Sequence, residues 1–96
     1  MLIVAGTGYV DPEHRETLLA GLAPALRRAR TTPGCLDYVV AADPIEPDRV
    51  TIYERWESEA HLTAHLAGTA QAAPMPHVRG VQVMRYEISG VHPLPG

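Results

Sequence analysis

The densest run of reactive side chains is Tyr53-Glu54-Arg55-Trp56, followed at short range by Ser58, His61 and His65. On an extended strand, side chains alternate, so Glu54 and Trp56 share one face while Tyr53 and Arg55 share the other. On a helix, His61 and His65 stand one turn apart and point the same way. Histidine exchanges protons near neutral pH, and tryptophan offers a flat wall with a single N–H donor. Such a set suits proton transfer beside an aromatic surface. Each residue also has a plainer reading. His65 is equally a helix histidine packed under a sheet, Trp56 a core anchor, and Tyr38, Tyr53 and Tyr86 ordinary strand residues. For Glu54, flanked by apolar neighbours, the expectation is an ion pair with Arg55, Arg79 or Arg85.

Other chemistries find less support. His61 and His65 supply two ligands and a metal site needs a third, so no metal is expected; His14 and His77 stand far along the chain. Cys35 is the single cysteine. It follows the Pro33-Gly34 turn with no base beside it, and reads as a small buried residue rather than a nucleophile. Gly6-Thr7-Gly8 lies within a strand and is followed by no lysine-bearing turn, so it is no phosphate loop. The formal net charge is −3. The only cationic cluster, Arg27, Arg28 and Arg30, sits at a predicted helix end, where cations suit the dipole. Nucleic acid is therefore not an expected partner. Nor is a membrane, since no apolar stretch approaches the ~18 residues that span a bilayer. Met1 to Val4 lacks the basic segment of a signal peptide, and a lone thiol suggests a reducing, cytoplasmic setting.

The elements that must position these groups follow from pattern. Leu2 to Val10 reads as a strand. Asp11-Pro12-Glu13 starts a helix: Asp11 can cap, Pro12 suits the first helical position and Glu13 the positive end. Leu18, Leu22, Ala25, Leu26 and Ala29 recur on one helical face. Pro24 predicts a kink or a short break, and Thr32-Pro33-Gly34 ends the segment. Cys35 to Ala41 is a second strand. Asp43 to Asp48, with two prolines, is a polar hairpin connection. Arg49 to Trp56 is the third strand. Ser58 and Glu59 open a second helix carrying Ala60, Leu62, His65 and Leu66. Gly68 ends or bends it, Thr69 to Ala73 add a further turn, and Pro74-Met75-Pro76 is an irregular loop. Val81 to Ile88 is the fourth strand. Residues 1–88 thus form one domain, and residues 89–96 an extended tail. The order, strand-helix-strand twice, is the ferredoxin-like split βαβ arrangement of the α+β class, with a four-stranded antiparallel sheet. Right-handed crossovers put both helices on one sheet face.

The other face predicts a partner. Leu2, Ile3, Val4 and Ala5 are all apolar, as are Val39 with Val40 and Val83 with Met84. A sheet wet on one side alternates apolar and polar residues instead. At roughly 1.5–3 kcal/mol per buried side chain of this size, two such sheets gain by meeting face to face as a homodimer. A chain of 96 residues without an internal disulfide has need of that help.

The run Pro33-Gly34-Cys35, then Asp43-Pro44, then Tyr53 to Leu66 (YERWESEAHLTAHL) resembles the antibiotic biosynthesis monooxygenase family over roughly residues 1–88. The resemblance implies a dimeric α+β barrel with a pocket between sheet and helices in each subunit. It implies oxygenation of a phenolic or polycyclic aromatic substrate by O2 with no cofactor, neither metal nor flavin. A hydroquinone or anthrone that loses a proton becomes an electron-rich anion and can itself reduce dioxygen. The protein then supplies an apolar pocket, a proton acceptor and donors for oxyanion charge. On this footing His65 and Trp56 are the expected catalytic residues, and Tyr53, Tyr38, Thr7 and His61 the expected substrate contacts. A related branch of the superfamily degrades haem, with an asparagine late in the first strand and a tryptophan in the second helix. Here Thr7 and His65 hold those places, a departure that argues against haem degradation.

Two other classes stay open at this point. One is a module that only binds a small ligand or dimerises. The other is an isomerase or cyclase on the same scaffold. A dry, filled core behind Trp56 favours the module, whereas an apolar cavity of ~300 Å³ or more with a few polar groups favours an enzyme.

Overall fold

A computed structural model describes residues 1–69 and 78–95. The elements run β1 (Leu2–Val10), α1 (Pro12–Arg30), β2 (Cys35–Ala42), β3 (Arg49–Trp56), α2 (Glu59–Thr69) and β4 (Val78–Glu87). The four strands form one sheet in the order β2-β3-β1-β4, and every neighbouring pair is antiparallel. This is the α+β, ferredoxin-like arrangement expected from the element order. The expected turn through Ala73, the Pro74-Met75-Pro76 loop and His77 lie outside the described residues.

Local chemistry accounts for the helix limits. Pro12 occupies the first turn of α1, Glu13 sits at its positive end, and Arg27, Arg28 and Arg30 at its negative end. Asp11 precedes the helix without a side-chain cap bond; its carboxylate instead accepts from Arg79 of β4 at 2.8 Å. The helix runs unbroken through Pro24, so the missing N–H costs one internal bond and no break follows. Ser58 caps α2, its Oγ accepting from the His61 amide at 3.2 Å. The second helix likewise continues past Gly68.

Two irregularities in the sheet bear on the site. On β2, Cys35 lies opposite Trp56 and Asp37 opposite Arg55. Leu36 is thus an inserted residue, and Cys35 and Tyr38 both face the helices. On β4, Thr7 pairs with Gln82 but Tyr9 with Arg79, and Gly80 takes φ +59° to absorb the extra residue. The bulge resets the alternation, so Val78 joins Val81 and Val83 on the helix side. A strand begun at Val81 misses this; Gly80 inside a β-rich run is the signal that marks it.

The core is small. Leu2, Val4, Trp56 and Leu62 cluster at one end of the sheet, with Cys35, Tyr38 and Val83 packed against them. Val10 and Val50 are also buried, while α1 contributes only Ala29. Its apolar stripe therefore faces something other than packed side chains. The β2–β3 hairpin is pinned from two sides. The Asp43 carboxylate accepts from the amides of Ile45 and Glu46. Arg15 of α1 donates to the carbonyls of Asp43, Glu46 and Arg49. Among the described residues, no helix is long and apolar enough to cross a membrane.

Candidate active site

The alternation of β3 sends Val50, Ile52, Glu54 and Trp56 toward the helices and Thr51, Tyr53 and Arg55 to the other face. Trp56 is fully buried, at 0% exposure, and Glu54 nearly so at 7%. Two residues apart on one face, they bond directly: the Trp56 indole Nε1–H donates to Glu54 Oε1 at 3.0 Å. Glu54 lies opposite Tyr38 across the β2–β3 ladder, which brings the Tyr38 hydroxyl within interacting reach of its carboxyl. From α2, the His65 ring sits 4.7 Å from that of Trp56 and 5.4 Å edge-on from that of Tyr38.

These groups close one end of a cavity of about 550 Å³ between the sheet and both helices. Its walls are largely apolar: Leu18, Leu22 and Leu26 of α1, Ile52 of β3, and Val81 and Val83 of β4. The stripe on α1 that periodicity marks as a packing face is cavity wall. Tyr38, Glu54 and His65 are gathered at the Trp56 end, and Arg28 and Thr32 also line the wall.

Burial dominates the electrostatics. It pushes the Glu54 carboxyl above the ordinary range, while the Trp56 N–H, a positive His65 and the Tyr38 hydroxyl pull the other way. Tyr38 is pushed up to about 12 by burial and by the Glu54 charge. The Cys35 thiol is raised by the same two causes. Tyr38 is therefore a neutral hydroxyl, able to donate to the carboxylate, which when ionised can only accept.

The residues singled out by sequence divide into two groups. His65 and Tyr38 line the cavity, and Trp56 backs the cluster. Tyr53 and Thr7 lie on the opposite sheet face, and His61 is not part of the wall. His61 is engaged elsewhere: its Nδ1 is 2.7 Å from Ser58 Oγ, and its ring rests on Gly34, whose φ is +83°. His61 thus fastens the Pro33-Gly34 turn to the start of α2. The expected ion pair of Glu54 does not form. Arg79 pairs with Asp11 and Arg85 with Glu59 and Glu87, while Arg55 is on the far face of the sheet. A carboxylate facing an apolar interior meets the nearest neutral donors, and here those are an indole and a phenol.

The fold and chamber define a class: a split βαβ domain whose helices roof an apolar cavity with a small polar cluster at one end. The model of the antibiotic biosynthesis monooxygenase family matches residues 1–85, and the chain belongs to that family. A solved structure assigned to the same monooxygenases, from Deinococcus radiodurans, is 29% identical over the full length of both chains, with a TM-score of 0.87. Another so assigned, from Chloroflexus aurantiacus, is 30% identical over 98% of each chain, with a TM-score of 0.75. The haem degrader MhuD of Mycobacterium tuberculosis, solved with two haems in its active site, shares the fold at 16% identity and a TM-score of 0.72; it spans 97% of this chain and 100% of its own. The uncharacterized protein sll1783 of Synechocystis sp. is 30% identical over 64 residues, 67% of this chain. This chain spans 44% of that relative's length.

Proposed function

We propose that the protein is a cofactor-independent monooxygenase that oxidises a phenolic or polycyclic aromatic substrate, of hydroquinone or anthrone type, with O2. The observation that carries this reading is the convergence of His65, Tyr38 and Glu54 on one end of an apolar chamber of about 550 Å³. That volume suits a flat molecule of two or three rings. Family membership supports the general activity.

The chemistry asked of the chain is modest. A bound phenol or anthrone gives up a proton and becomes an anion held in apolar surroundings. The anion passes one electron to O2; the carbon radical and superoxide recombine to a peroxide. Loss of water then leaves a new carbonyl, so that an anthrone CH2 and O2 become C=O and H2O. The protein must hold the ring, take the first proton and return one to the departing peroxide oxygen. His65, at the chamber wall beside Trp56, is placed to exchange protons with the occupant. Trp56 stiffens the wall behind it.

The open sheet face supports the homodimer reading. Val39, Tyr53, Ala5 and Met84 form one row across the four strands, and Met84 is 62% exposed. Pairing of two such faces would build the α+β barrel and bring Thr7 and Tyr53 into its interior. A cytoplasmic setting fits the lone thiol.

The test is oxygen uptake by purified protein given an anthrone or hydroquinone without added metal. Product formation with one O2 consumed per substrate, slowed at least roughly tenfold by His65→Ala, is expected. Turnover without oxygen consumption would point to an isomerase or cyclase instead, and equal rates in the two proteins would remove His65 from the mechanism.

A further inference from the structure

The Glu54–Tyr38 pair has no part in a scheme that relies on His65 alone. Glu54 is the one buried charged side chain among the described residues. Its bonded partner is the Trp56 N–H, and Tyr38 faces it across the β2–β3 ladder on the same cavity wall. An indole N–H can only donate, so no proton reaches Glu54 through Trp56. A phenol can both donate and accept. When it donates to Glu54, Tyr38 keeps lone pairs for a donor arriving from the cavity, whose wall it forms.

Resting on the oxygenase reading above, we propose that Glu54 is the acceptor of the substrate's first proton, delivered through the Tyr38 hydroxyl. The substrate class is thereby narrowed to molecules that present an acidic phenolic O–H at the Trp56 end of the chamber. In the step, the substrate O–H breaks as a new O–H forms on Tyr38, and the original Tyr38 hydrogen passes to Glu54. Tyr38 ends neutral, Glu54 ends as a carboxylic acid, and the substrate ends as its anion. No electron moves in this step. Its direction agrees with a carboxyl made more basic by burial. Among the described residues, the other titratable or charged groups about the pair are Cys35 on β2, His65 on α2, Arg28 on the cavity wall from α1, and Arg30, whose Nε donates to the Tyr38 carbonyl. His65, ring to ring with both Trp56 and Tyr38, is left to serve the peroxide.

The probe is 2-hydroxyanthraquinone, a flat phenol whose anion absorbs at longer wavelength and which O2 does not oxidise. It is titrated spectroscopically in wild type, Glu54→Gln and Tyr38→Phe, with circular dichroism recorded on each. The Glu54→Gln variant keeps an acceptor for the indole but cannot take a proton; Tyr38→Phe cuts the route while leaving the carboxylate. The wild type should ionise the bound phenol below its pH range in water, and both variants should bind it with the anion fraction near neutral pH at least about tenfold lower. Wild-type ionisation in either variant overturns the relay, as does a wild type that leaves the bound phenol neutral. Oxygen uptake is scored separately. A relay seen without uptake leaves the proposal standing and sinks the oxygenase reading. Uptake with full ionisation in the variants does the reverse. A wild type that takes up no probe overturns both.

Discussion

Trp56 Nε1 and Glu54 Oε1 lie 3.0 Å apart, two residues along one strand, where both side chains are closed off from water. The bond satisfies the indole and holds the carboxyl at the cavity, yet leaves a titratable group where its charged form is penalised. The first prediction follows from the sign of that penalty. Glu54 titrates above its ordinary 4.5 in the folded chain. Below that value both folded and unfolded chains are protonated and the penalty is absent. As pH rises, the unfolded chain ionises first, so folding stability falls until folded Glu54 has ionised too. Glu54→Gln cannot ionise and keeps an acceptor for Trp56. Its melting temperature should exceed that of the wild type by more at about pH 8 than at about pH 4. A difference that is constant or shrinks with pH would show that burial does not penalise this charge.

Asp43 carries the opposite sign. Amide donors from Glu46 and Ile45 hold its carboxyl below its ordinary 3.8. Its stabilising contribution is present above that value and is lost as pH falls through the folded value. Asp43→Asn should therefore unfold less steeply with acid than the wild type, and be less stable at neutral pH. Acid titrations followed by circular dichroism measure both. The same acid sensitivity in the two proteins would detach Asp43 from the hairpin's stability.

Gly34 and His61 are predicted to be coupled. At φ +83° any Cβ is strained, and at Gly34 it would also run into the His61 ring. Gly34→Ala should cost about 1–2 kcal/mol for the backbone alone and more for the collision. His61→Ala removes the ring and the Nδ1 contact to Ser58. In the double variant the collision is gone, so the paired loss should fall short of the sum of the single losses by at least about 0.5 kcal/mol. Urea unfolding of the four proteins completes the cycle, and simple additivity would place His61 away from the turn.

The architecture was legible because its signals are local and mutually consistent. Pro12 after Asp11, the β-rich run Arg49–Trp56 and the Pro33-Gly34 turn mark boundaries that a single sequence displays. Leu2 to Val10 and Arg49 to Trp56 are strands over those very residues. What sequence did not display depends on the third dimension. Leu18, Leu22 and Leu26 show a helical stripe, but periodicity cannot say whether a stripe meets packed side chains or empty space. Glu54 has three arginines near it in sequence or strand order, and only the register reveals Tyr38 across the ladder. His61 and His65 look alike at one turn's spacing. They part because the first residue of that pair lies at the helix cap, against Gly34, and the second above Trp56.

Because α1 roofs a chamber rather than a packed layer, filling the chamber should tell on binding more than on folding. Ala25 is exposed to solvent yet borders the cavity. Ala25→Phe should lower affinity for a flat phenol such as 2-hydroxyanthraquinone at least about tenfold while moving the melting temperature little. The wild type, in turn, should gain about 2.7 kcal/mol of stability when the ligand is present at a hundred times its dissociation constant. Undiminished binding in Ala25→Phe would put the ligand elsewhere on the chain.

The uncovered sheet face makes the final prediction. Its central row runs Val39, Tyr53, Ala5 and Met84. Alongside it Tyr86, 53% exposed, lies opposite Ile3. Contiguous apolar area of this kind is uncommon on a chain that works alone, and pairing two such faces can reach the ~1,200–2,000 Å² of a stable interface. Met84→Asp sets a carboxylate on this apolar face without touching the cavity wall or the Trp56 cluster. Sedimentation at micromolar concentration should find the wild type as a dimer and Met84→Asp as single chains with unchanged secondary structure. Since Thr7 and Tyr53 lie on that same face, substrate binding that survives in the single chains would confine the site to the chamber of one subunit, while binding lost with the dimer would give those two residues a part in it. A wild type that sediments only as single chains would leave the face without the partner its composition calls for.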